Sequence, residues 1–221
     1  MYVNISIMIN IIIFDLDGTL LYTLEDLKDS VNFALKKYNY KPISLEQTKN
    51  FVGNGIKKLV ERAIPDGKKN VNFEGCLKTF KNHYSENMYN KTKPYEGMLE
   101  VLEEIKTKGI KTAVVSNKFD SASKELCKKY FGNLIDIVVG QSESIPQKPS
   151  PEGIFEVIRY FGRNIKDCIY VGDSEVDIQT AKNAGIPCIS VSWGYRSNET
   201  LEKAGANVII KKPEEILRLI V

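Results

Sequence analysis

The stretch IIIFDLDGTLL, residues 11–21, places two carboxylates directly after one of the most apolar runs of the chain. A continuous apolar run that stops at a glycine-containing turn is typical of a central strand in a parallel sheet. In such sheets, ligands bind in the crevice beyond the carboxyl ends of the strands. Side chains alternate along a strand, so Asp15 and Asp17 are expected to project to the same side. Gly18 then allows a sharp turn close to a ligand; an ordinary strand followed by an Asp-Gly turn is the simpler alternative.

The sequence after this stretch changes character twice. Residues 23–91 show apolar positions at helical spacing and no strand pattern, which predicts a helical segment. From residue 92 onward, short apolar runs alternate with helical patterns, which predicts βαβ units and a parallel sheet with helices on both faces. The strands expected there are KTAVVS (111–116), DIVVG (136–140), CIYVGD (168–173), PCISVS (187–192) and NVIIK (207–211). We therefore predict an α/β fold with a doubly wound, Rossmann-like parallel-sheet core (1–22 and 92–221) and a helical cap (23–91) inserted after the first strand.

Composition and charge argue against several classes of partner. The chain has 221 residues, of which 43% are hydrophobic and 27% are charged, as in an ordinary globular protein. Its formal net charge is +3, from 31 basic and 28 acidic residues that are scattered along the chain. Neither nucleic acid nor a membrane is therefore expected as a partner, and we expect a monomer or a homodimer.

The cysteines and the N-terminus bear on the cellular compartment. None of the four cysteines lies in a C-x-x-C spacing, which favours free thiols in a reducing compartment. The first ten residues, MYVNISIMIN, lack the basic region and cleavage site of a secretory signal and are too short to span a bilayer. Met8 is an alternative start that would leave residues 1–7 as an extension. These features predict a soluble, cytoplasmic protein.

Polar side chains also lie near the ends of later strands. They are Ser116 and Asn117 after AVV, Lys148 in the loop IPQKPSP, and Asp173 and Asp177 in GDSEVD. Taken singly, they have simpler explanations, namely an ordinary turn, a solvated lysine, and acidic residues favoured at a helix start. Their joint occurrence indicates that one crevice collects them. Oxygen ligands without a His or Cys cluster favour Mg²⁺ over zinc.

Two common catalytic motifs are missing from the sequence. It contains no GxxxxGK phosphate-binding loop, which argues against a nucleoside triphosphatase of that type. It contains no G-x-S-x-G motif either, which argues against a serine hydrolase. A carboxylate nucleophile that forms an aspartyl-phosphate fits the groups that remain.

The order of these motifs resembles that of a known family. DLDGT (15–19), Ser116-Asn117, Lys148 and GDSEVD (172–177) follow the order of the four motifs of the haloacid dehalogenase superfamily of phosphatases. Two further stretches, FVGNGIKKLVERAI (51–64) and SVSWGYRS (190–197), resemble the phosphoglycolate phosphatase branch. The resemblance covers nearly the whole chain. It implies a Mg²⁺-dependent phosphatase that hydrolyses a small, phosphoglycolate-like metabolite through an aspartyl-phosphate.

The resemblance also implies a role for each motif residue. Asp15 would attack phosphorus, and Asp17 would protonate the leaving oxygen and later activate water. The groups that would hold the phosphoryl oxygens are Ser116, the Asn117 backbone and Lys148. The groups that would bind Mg²⁺ are Asp15, the Asp17 carbonyl and Asp173, with Asp177 in a supporting position.

Inside the insertion, Gly53-Asn54-Gly55 lies between two predicted helices. The Asn54 amide and the backbone N–H groups of the two glycines are suited to contact substrate, and a plain helix–helix turn is the alternative. Arg62, on the next helix, is expected to be solvated. The chain departs from the family at Tyr22, where relatives usually have an acidic residue just before the insertion.

Three other functions fit parts of the same pattern. A phosphosugar mutase resembling beta-phosphoglucomutase uses the same motifs, and so do pyrophosphatases and nucleotidases of the superfamily. From a different class, a receiver-type signalling module also carries a phosphorylated aspartate beside Mg²⁺. Such a module needs neither the helical insertion nor an acid/base two residues after the nucleophile, so a phosphatase is favoured.

Overall fold

A computed structural model describes residues 9–220, so the expectation about Met8 and the preceding extension lies outside the described residues. The strands are β1 (Ile11–Phe14), β2 (Leu21–Tyr22), β3 (Lys93–Pro94), β4 (Lys111–Phe119), β5 (Ile137–Gln141), β6 (Cys168–Gly172), β7 (Cys188–Val191) and β8 (Ile209–Ile210). The helices are α1 (Leu24–Lys37), α2 (Leu45–Phe51), α3 (Gly55–Ala63), α4 (Phe73–Asn87), α5 (Met98–Thr107), α6 (Asp120–Phe131), α7 (Glu152–Phe161), α8 (Glu175–Ala184), α9 (Asn198–Lys203) and α10 (Glu215–Leu219).

Six parallel strands form the main sheet, in the order β5-β4-β1-β6-β7-β8. β1 lies inside this sheet and pairs with β4 on one side and β6 on the other. All four of its residues are buried, as expected for a strand covered on both faces. The strand order reverses on the two sides of β1, which opens a crevice at its carboxyl end.

The side chains of β1 alternate between two hydrophobic cores. Ile11 and Ile13 pack in one core together with residues of α7 and α8. Ile12 and Phe14 pack in the other, together with residues of α5 and α6. Helices therefore cover both faces of the sheet, and the predicted doubly wound α/β architecture is confirmed.

The helical segment between β2 and β3 is built around α1, which packs against α4. β2 and β3 form a separate antiparallel ribbon in which Tyr22 is paired with Lys93. The Tyr22 ring packs edge-on against the rings of Tyr95 and Tyr195, at centroid distances of 6.3 and 6.5 Å. The sequence departure at Tyr22 thus falls within an aromatic contact where the chain enters the helical segment.

A buried carboxylate near the start of the helical segment binds the residues at its end. Asp26 in α1 is 2% exposed and accepts hydrogen bonds from the backbone N–H groups of Lys91 and Thr92. The Thr92 hydroxyl donates to the same carboxylate at 2.9 Å. The start and the end of the helical segment are therefore bound to each other.

The structure differs from the sequence-based expectation in three places. β4 continues to Phe119 instead of ending at residue 116, with a register shift against β5 after Val115. The ribbon strands β2 and β3 and the helices α9 and α10 were not predicted; the two helices, at six and five residues, are too short to show a helical periodicity. Within residues 9–220, no helix combines the length and apolar character that crossing a membrane requires.

Candidate active site

Three buried carboxylates meet beyond the carboxyl end of β1. Asp15 directly follows β1, Asp173 directly follows β6, and Asp177 lies in the first turn of α8. One oxygen atom of each carboxylate lies within 4.8 Å of the others. The pairing of β1 with β6 brings these residues together, because parallel neighbours end at the same edge of a sheet.

Lys148 binds two of these carboxylates. Its Nζ donates to Asp15 Oδ1 and to Asp177 Oδ1, each at 2.7 Å, and to the Tyr170 hydroxyl at 3.0 Å. The Lys148 side chain is 4% exposed. Asn117 holds the lysine's backbone, since its Oδ1 accepts from Lys148 N at 2.7 Å and its Nδ2 donates to Lys148 O at 3.2 Å. Lys148 is therefore a buried part of the site and not a solvated loop residue.

The pKa values of the carboxylates reflect burial first and repulsion between neighbouring carboxylates second. Desolvation raises the pKa of Asp15 to about 7, against the opposing effect of Lys148. Desolvation, followed by repulsion from Asp177 and Asp15, raises the pKa of Asp173 well above its usual range. Burial alone would lower the pKa of Lys148, but its carboxylate neighbours raise it further, so the ammonium group stays charged. Three carboxylates facing one lysine favour the binding of a further cation.

Both oxygens of Asp177 are engaged by the protein. Its Oδ2 accepts from the Ser174 backbone N–H at 3.1 Å and from the Ser174 hydroxyl at 2.6 Å. Its Oδ1 accepts from Lys148 and, at 3.3 Å, from the Tyr170 hydroxyl. Asp177 therefore positions Lys148 and has less capacity for a cation than its neighbours.

Asp173 is approached closely by two glycines. A Cβ at Gly18, whose φ is +93°, would lie 2.5 Å from Asp173 Oδ2, and a Cβ at Gly194 would overlap the Asp173 side chain. The Tyr195 N–H donates to Asp173 Oδ2 at 2.6 Å. Among the described residues, Oδ1 accepts only a long bond of 3.5 Å from Thr19. This oxygen therefore retains the capacity to bind a cation.

Asp17 is paired with a lysine that the sequence analysis did not single out. Lys118 Nζ donates to both Asp17 oxygens at 3.0 Å, and the Lys118 side chain is 1% exposed. Thr23 Oγ1 donates to Asp17 at 2.7 Å. Lys118 directly follows the Ser-Asn pair in the sequence, and this position beside a predicted site is the signal that was available.

Ser116 and Asn117 lie within β4 and not after it, and both are buried. The Ser116 hydroxyl oxygen accepts from the Lys118 backbone N–H at 3.2 Å. Asn117 Nδ2 also donates to Gly53 O at 3.1 Å, so this side chain joins the site to the helical segment. The side-chain amide of Asn117 is therefore engaged by the protein at both ends.

The three residues expected to contact substrate from the helical segment behave differently from one another. Gly53 and Gly55 line the cavity described below. Asn54 Oδ1 accepts from Arg62 Nη2 at 2.9 Å, and Arg62 Nη1 donates to Phe51 O at 2.8 Å. Arg62 therefore organises the α2–α3 turn through Asn54, whereas the glycines offer their backbone to the cavity.

Arg196, which the sequence analysis did not single out, links the loop after β7 to this turn. Its guanidinium donates to Lys49 O at 3.0 Å and to Val52 O at 2.7 Å. Its Nε donates to Glu175 Oε2 at 2.9 Å. Arg196, from the loop after β7, and Asn117, from β4, thus bind the same region of the helical segment.

The cavity that results contains about 530 Å³ of empty space, including its open mouth. Its lining combines carboxylates, two cations and an apolar side from the helical segment. The lining residues are Asp15, Asp17, Leu27, Val52, Gly53, Gly55, Ile56, Leu59, Ser116, Asn117, Lys118, Asp173, Ser174, Tyr195 and Arg196.

The chain is similar to one known protein family and to curated proteins over most of its length. A model of the haloacid dehalogenase-like hydrolase family matches residues 12–191. The chain is 33% identical over 207 residues to the phosphoglycolate phosphatase of Mesorhizobium japonicum, with 90% of this chain and 89% of that protein covered. It is 30% identical over 210 residues to the phosphoglycolate phosphatase of Aquifex aeolicus, with 95% of each chain covered.

Solved structures share the whole architecture. A candidate phosphoglycolate phosphatase from Lactobacillus delbrueckii subsp. bulgaricus has a TM-score of 0.92 at 33% identity, covering 96% of this chain and 98% of that chain. A protein from Haemophilus somnus, also described as a candidate phosphoglycolate phosphatase, has a TM-score of 0.91 at 29% identity, covering 98% and 100%. These likenesses extend across both the sheet and the inserted helices.

Proposed function

The chain belongs to the haloacid dehalogenase-like hydrolase family and is a phosphatase, and from this premise we propose that it hydrolyses phosphoglycolate or a similarly small phosphomonoester with Mg²⁺. One observation carries the proposal: the buried carboxylate of Asp15 is bound to Lys148 and lines the same cavity as Asp17. A nucleophile, a neutralising cation and an acid/base group are the parts that hydrolysis through an aspartyl-phosphate requires.

The proposed nucleophile is Asp15. Its carboxylate forms a bond to phosphorus while the bond from phosphorus to the ester oxygen breaks, which gives an aspartyl-phosphate and releases the alcohol. A phosphomonoester dianion repels a carboxylate, so positive charge must be present before attack. Lys148, with its Nζ 2.7 Å from Asp15 Oδ1, supplies part of that charge.

The proposed acid/base is Asp17. As the ester oxygen leaves, Asp17 gives it a proton, so that the product leaves as a neutral alcohol. Asp17 then takes a proton from the water that attacks the aspartyl-phosphate, which releases inorganic phosphate and restores the Asp15 carboxylate. Asp17 lines the cavity, as this role requires, and lies two residues beyond Asp15.

The proposed phosphoryl-binding groups are the Ser116 hydroxyl, the Asn117 backbone N–H and Lys148. The side-chain amide of Asn117 is already bound to the backbone of Lys148 and Gly53, which supports a role for its main chain. Ser116 and Asn117 both line the cavity, and Lys148 touches Asp15 beside it.

The carboxylate cluster fits a hard divalent cation such as Mg²⁺. We propose as ligands Asp15, the Asp17 main-chain carbonyl and Asp173, with Asp177 supporting them through Lys148. The donors are all oxygens, and the raised pKa values of Asp15 and Asp173 mark a site with too little positive charge. A bound Mg²⁺ supplies charge neutralisation for the phosphoryl group.

We propose that residues 23–91 form a cap over a catalytic core made of residues 1–22 and 92–221. Asn117 and Arg196 reach from the core to carbonyl groups of the cap. A closed cap excludes bulk water and restricts the site to small substrates. The cap residues that form the apolar side of the cavity are Leu27, Val52, Ile56 and Leu59.

We also propose a cytoplasmic location. All four cysteines are free and three of them are buried, as is usual in a reducing compartment. The small formal net charge of +3 supports neither nucleic acid nor a membrane as a partner. Fractionation of cells that express the tagged chain should recover it with the soluble cytoplasmic proteins.

Phosphate release from a panel of small phosphomonoesters tests the proposed reaction. We expect phosphoglycolate to be among the best substrates with Mg²⁺ and to be left intact in excess chelator. Asp15→Asn should lower turnover by roughly four orders of magnitude or more, whereas the exposed Glu103→Gln should not. Near-normal phosphate release by Asp15→Asn, or full activity in chelator, would contradict the mechanism. Isomerisation of a sugar phosphate without phosphate release would instead indicate a mutase.

A further inference from the structure

Two cationic side chains line the cavity, and they differ in how firmly their partners are fixed. Arg196 is bound by two backbone carbonyls and by Glu175. Lys118 is bound by one carboxylate, that of Asp17, and its Nζ lies 4.7 Å from the centre of the Tyr84 ring. Within residues 9–220, the one ion pair of Lys118 is thus with a group that the proposed reaction requires elsewhere.

We propose that Lys118 binds a carboxylate of the substrate that lies one carbon away from the ester oxygen. This inference rests on the proposed phosphatase function and assigns its specificity for phosphoglycolate-type substrates to one residue. Lys118 would be a specificity-determining residue, because its target is the part of the substrate that does not react.

The distances around Asp17 fit a carboxylate in this position. An Asp17 oxygen that donates a proton to the ester oxygen lies about 2.7 Å from it. Because Lys118 Nζ is 3.0 Å from the Asp17 oxygens, it lies no more than about 6 Å from the ester oxygen. A carboxylate one carbon away extends about 3 Å from the ester oxygen, which brings it within hydrogen-bonding reach of Nζ.

The charges around Lys118 give a reason why a substrate that carries a carboxylate would be preferred. Asp17 cannot keep both oxygens on Lys118 and also turn one of them to the leaving group. The Lys118 ammonium group then loses one of its two contacts with the Asp17 carboxylate. The Lys118 side chain is 1% exposed, and a buried cation without its full counter-charge is costly. A substrate carboxylate replaces the lost contact, whereas a neutral substrate leaves the cation poorly compensated.

A purely structural role for Lys118 makes a different prediction. If Lys118 only holds Asp17 in place, its replacement should lower the turnover of every phosphomonoester by the same factor. If it binds the substrate carboxylate, the loss should depend on whether the substrate carries that charge. Phosphoglycolate and its amide, phosphoglycolamide, form a matched pair that differs in this charge and little in shape.

The experiment measures kcat/KM for both compounds with the wild type, Lys118→Met, Lys118→Arg and the exposed control Lys124→Met. We expect the wild type and the control to prefer phosphoglycolate by on the order of 10- to 100-fold, the range for a hydrogen bond between charged groups. Lys118→Met should abolish this preference by raising KM for phosphoglycolate, and Lys118→Arg should retain part of it. Thermal unfolding checks that each variant is folded.

Several outcomes overturn the inference. Equal kcat/KM of the wild type for the two compounds would do so without any variant, even if Lys118→Met fails to fold. Retention of the full preference by a folded Lys118→Met, or equal loss on both compounds, would also do so. Hydrolysis of other phosphomonoesters but of neither compound would show that the proposed substrate itself is wrong, and the inference would fall with it.

Discussion

In the absence of divalent cations, raising the pH from 5 to 8 should destabilise the fold, because the buried carboxylates Asp15 and Asp173 both have raised pKa values. Burial raises the pKa of Asp15 from its ordinary value of 3.8 to about 7. Between these two values the folded protein holds the Asp15 proton and the unfolded chain does not. The stability that this proton contributes is fully present below pH 3.8, and it declines from there until the pH has passed about 7.

The expected loss follows from the size of this shift. Between pH 5 and pH 8, Asp15 alone accounts for about 2–3 kcal/mol of the free energy of unfolding. Asp173 acts in the same direction, because burial and then repulsion from Asp177 and Asp15 raise its pKa as well. For a chain of this length, 1 kcal/mol corresponds to about 2–4 °C in Tm, so Tm should fall by about 5 °C or more.

The assay is thermal unfolding in chelator, followed by circular dichroism at each pH between 5 and 8. Asp15→Asn removes one titrating group and relieves part of the repulsion on Asp173, so its Tm should depend less on pH. The exposed Glu103→Gln should follow the wild type. Millimolar Mg²⁺ should restore the wild-type Tm at pH 8, because a cation that binds the native state stabilises it.

Two results would refute this reasoning. The first is a wild-type Tm in chelator that stays constant or rises between pH 5 and 8. The second is an Asp15→Asn variant whose Tm changes with pH as steeply as that of the wild type. Either would mean that the folded protein does not raise the pKa of Asp15, and the proposed cation site would lose one of its supports.

Three further predictions concern the proposed metal site, the α2–α3 turn and the junction at the base of the helical segment. Asp173→Asn should raise the Mg²⁺ concentration needed for half-maximal phosphate release at least about tenfold, because an oxygen ligand is lost. Gly55→Val should lower kcat/KM by about tenfold, since φ is +76° there and a Cβ would collide with Gln147 at the cavity. Asp26→Ala should lower the free energy of unfolding in urea by about 2–3 kcal/mol, because it leaves the buried donors of Thr92 and the backbone N–H of Lys91 without this partner.

Each of these predictions has an outcome that contradicts it. An unchanged Mg²⁺ requirement in Asp173→Asn would remove this residue from the metal site. Full kcat/KM in Gly55→Val would separate the α2–α3 turn from catalysis. A urea midpoint for Asp26→Ala equal to that of the wild type would show that this carboxylate does not stabilise the junction between the two ends of the helical segment. Glu103→Gln serves as the exposed control in all three experiments.

The sheet and its central strand were predictable because local patterns encode them. The run that precedes Asp15 is apolar throughout, and such a run has few alternatives to a buried strand. The position of Asp173 at the end of a second apolar run was predictable for the same reason. That the two carboxylates lie together follows from the pairing of β1 with β6, which the fold class implies.

The contacts of Lys118, Lys148 and Arg196 could not be derived in this way. Lys148 reaches Asp15 because Asn117 holds its loop, a contact between residues 31 positions apart that no periodicity reports. Lys118 lies on a strand that continues beyond its predicted end. Arg196 binds two backbone carbonyls at the C-terminal end of α2, which is distant from it in the sequence. A single arginine after a strand gives no local indication of such partners.

The ribbon of β2 and β3 brings the two ends of the inserted segment together. The chain enters the inserted segment after Tyr22 and leaves it before Lys93. These two residues are direct partners in the ribbon, about 5 Å apart in an antiparallel pair. Asp26 ties the far side of the same junction, so the inserted segment closes on itself. Its length and sequence can therefore change between descendants of one ancestor without moving β1, β4 or β6. The sheet and the side chains that it positions can thus stay the same while the inserted piece is exchanged as a unit.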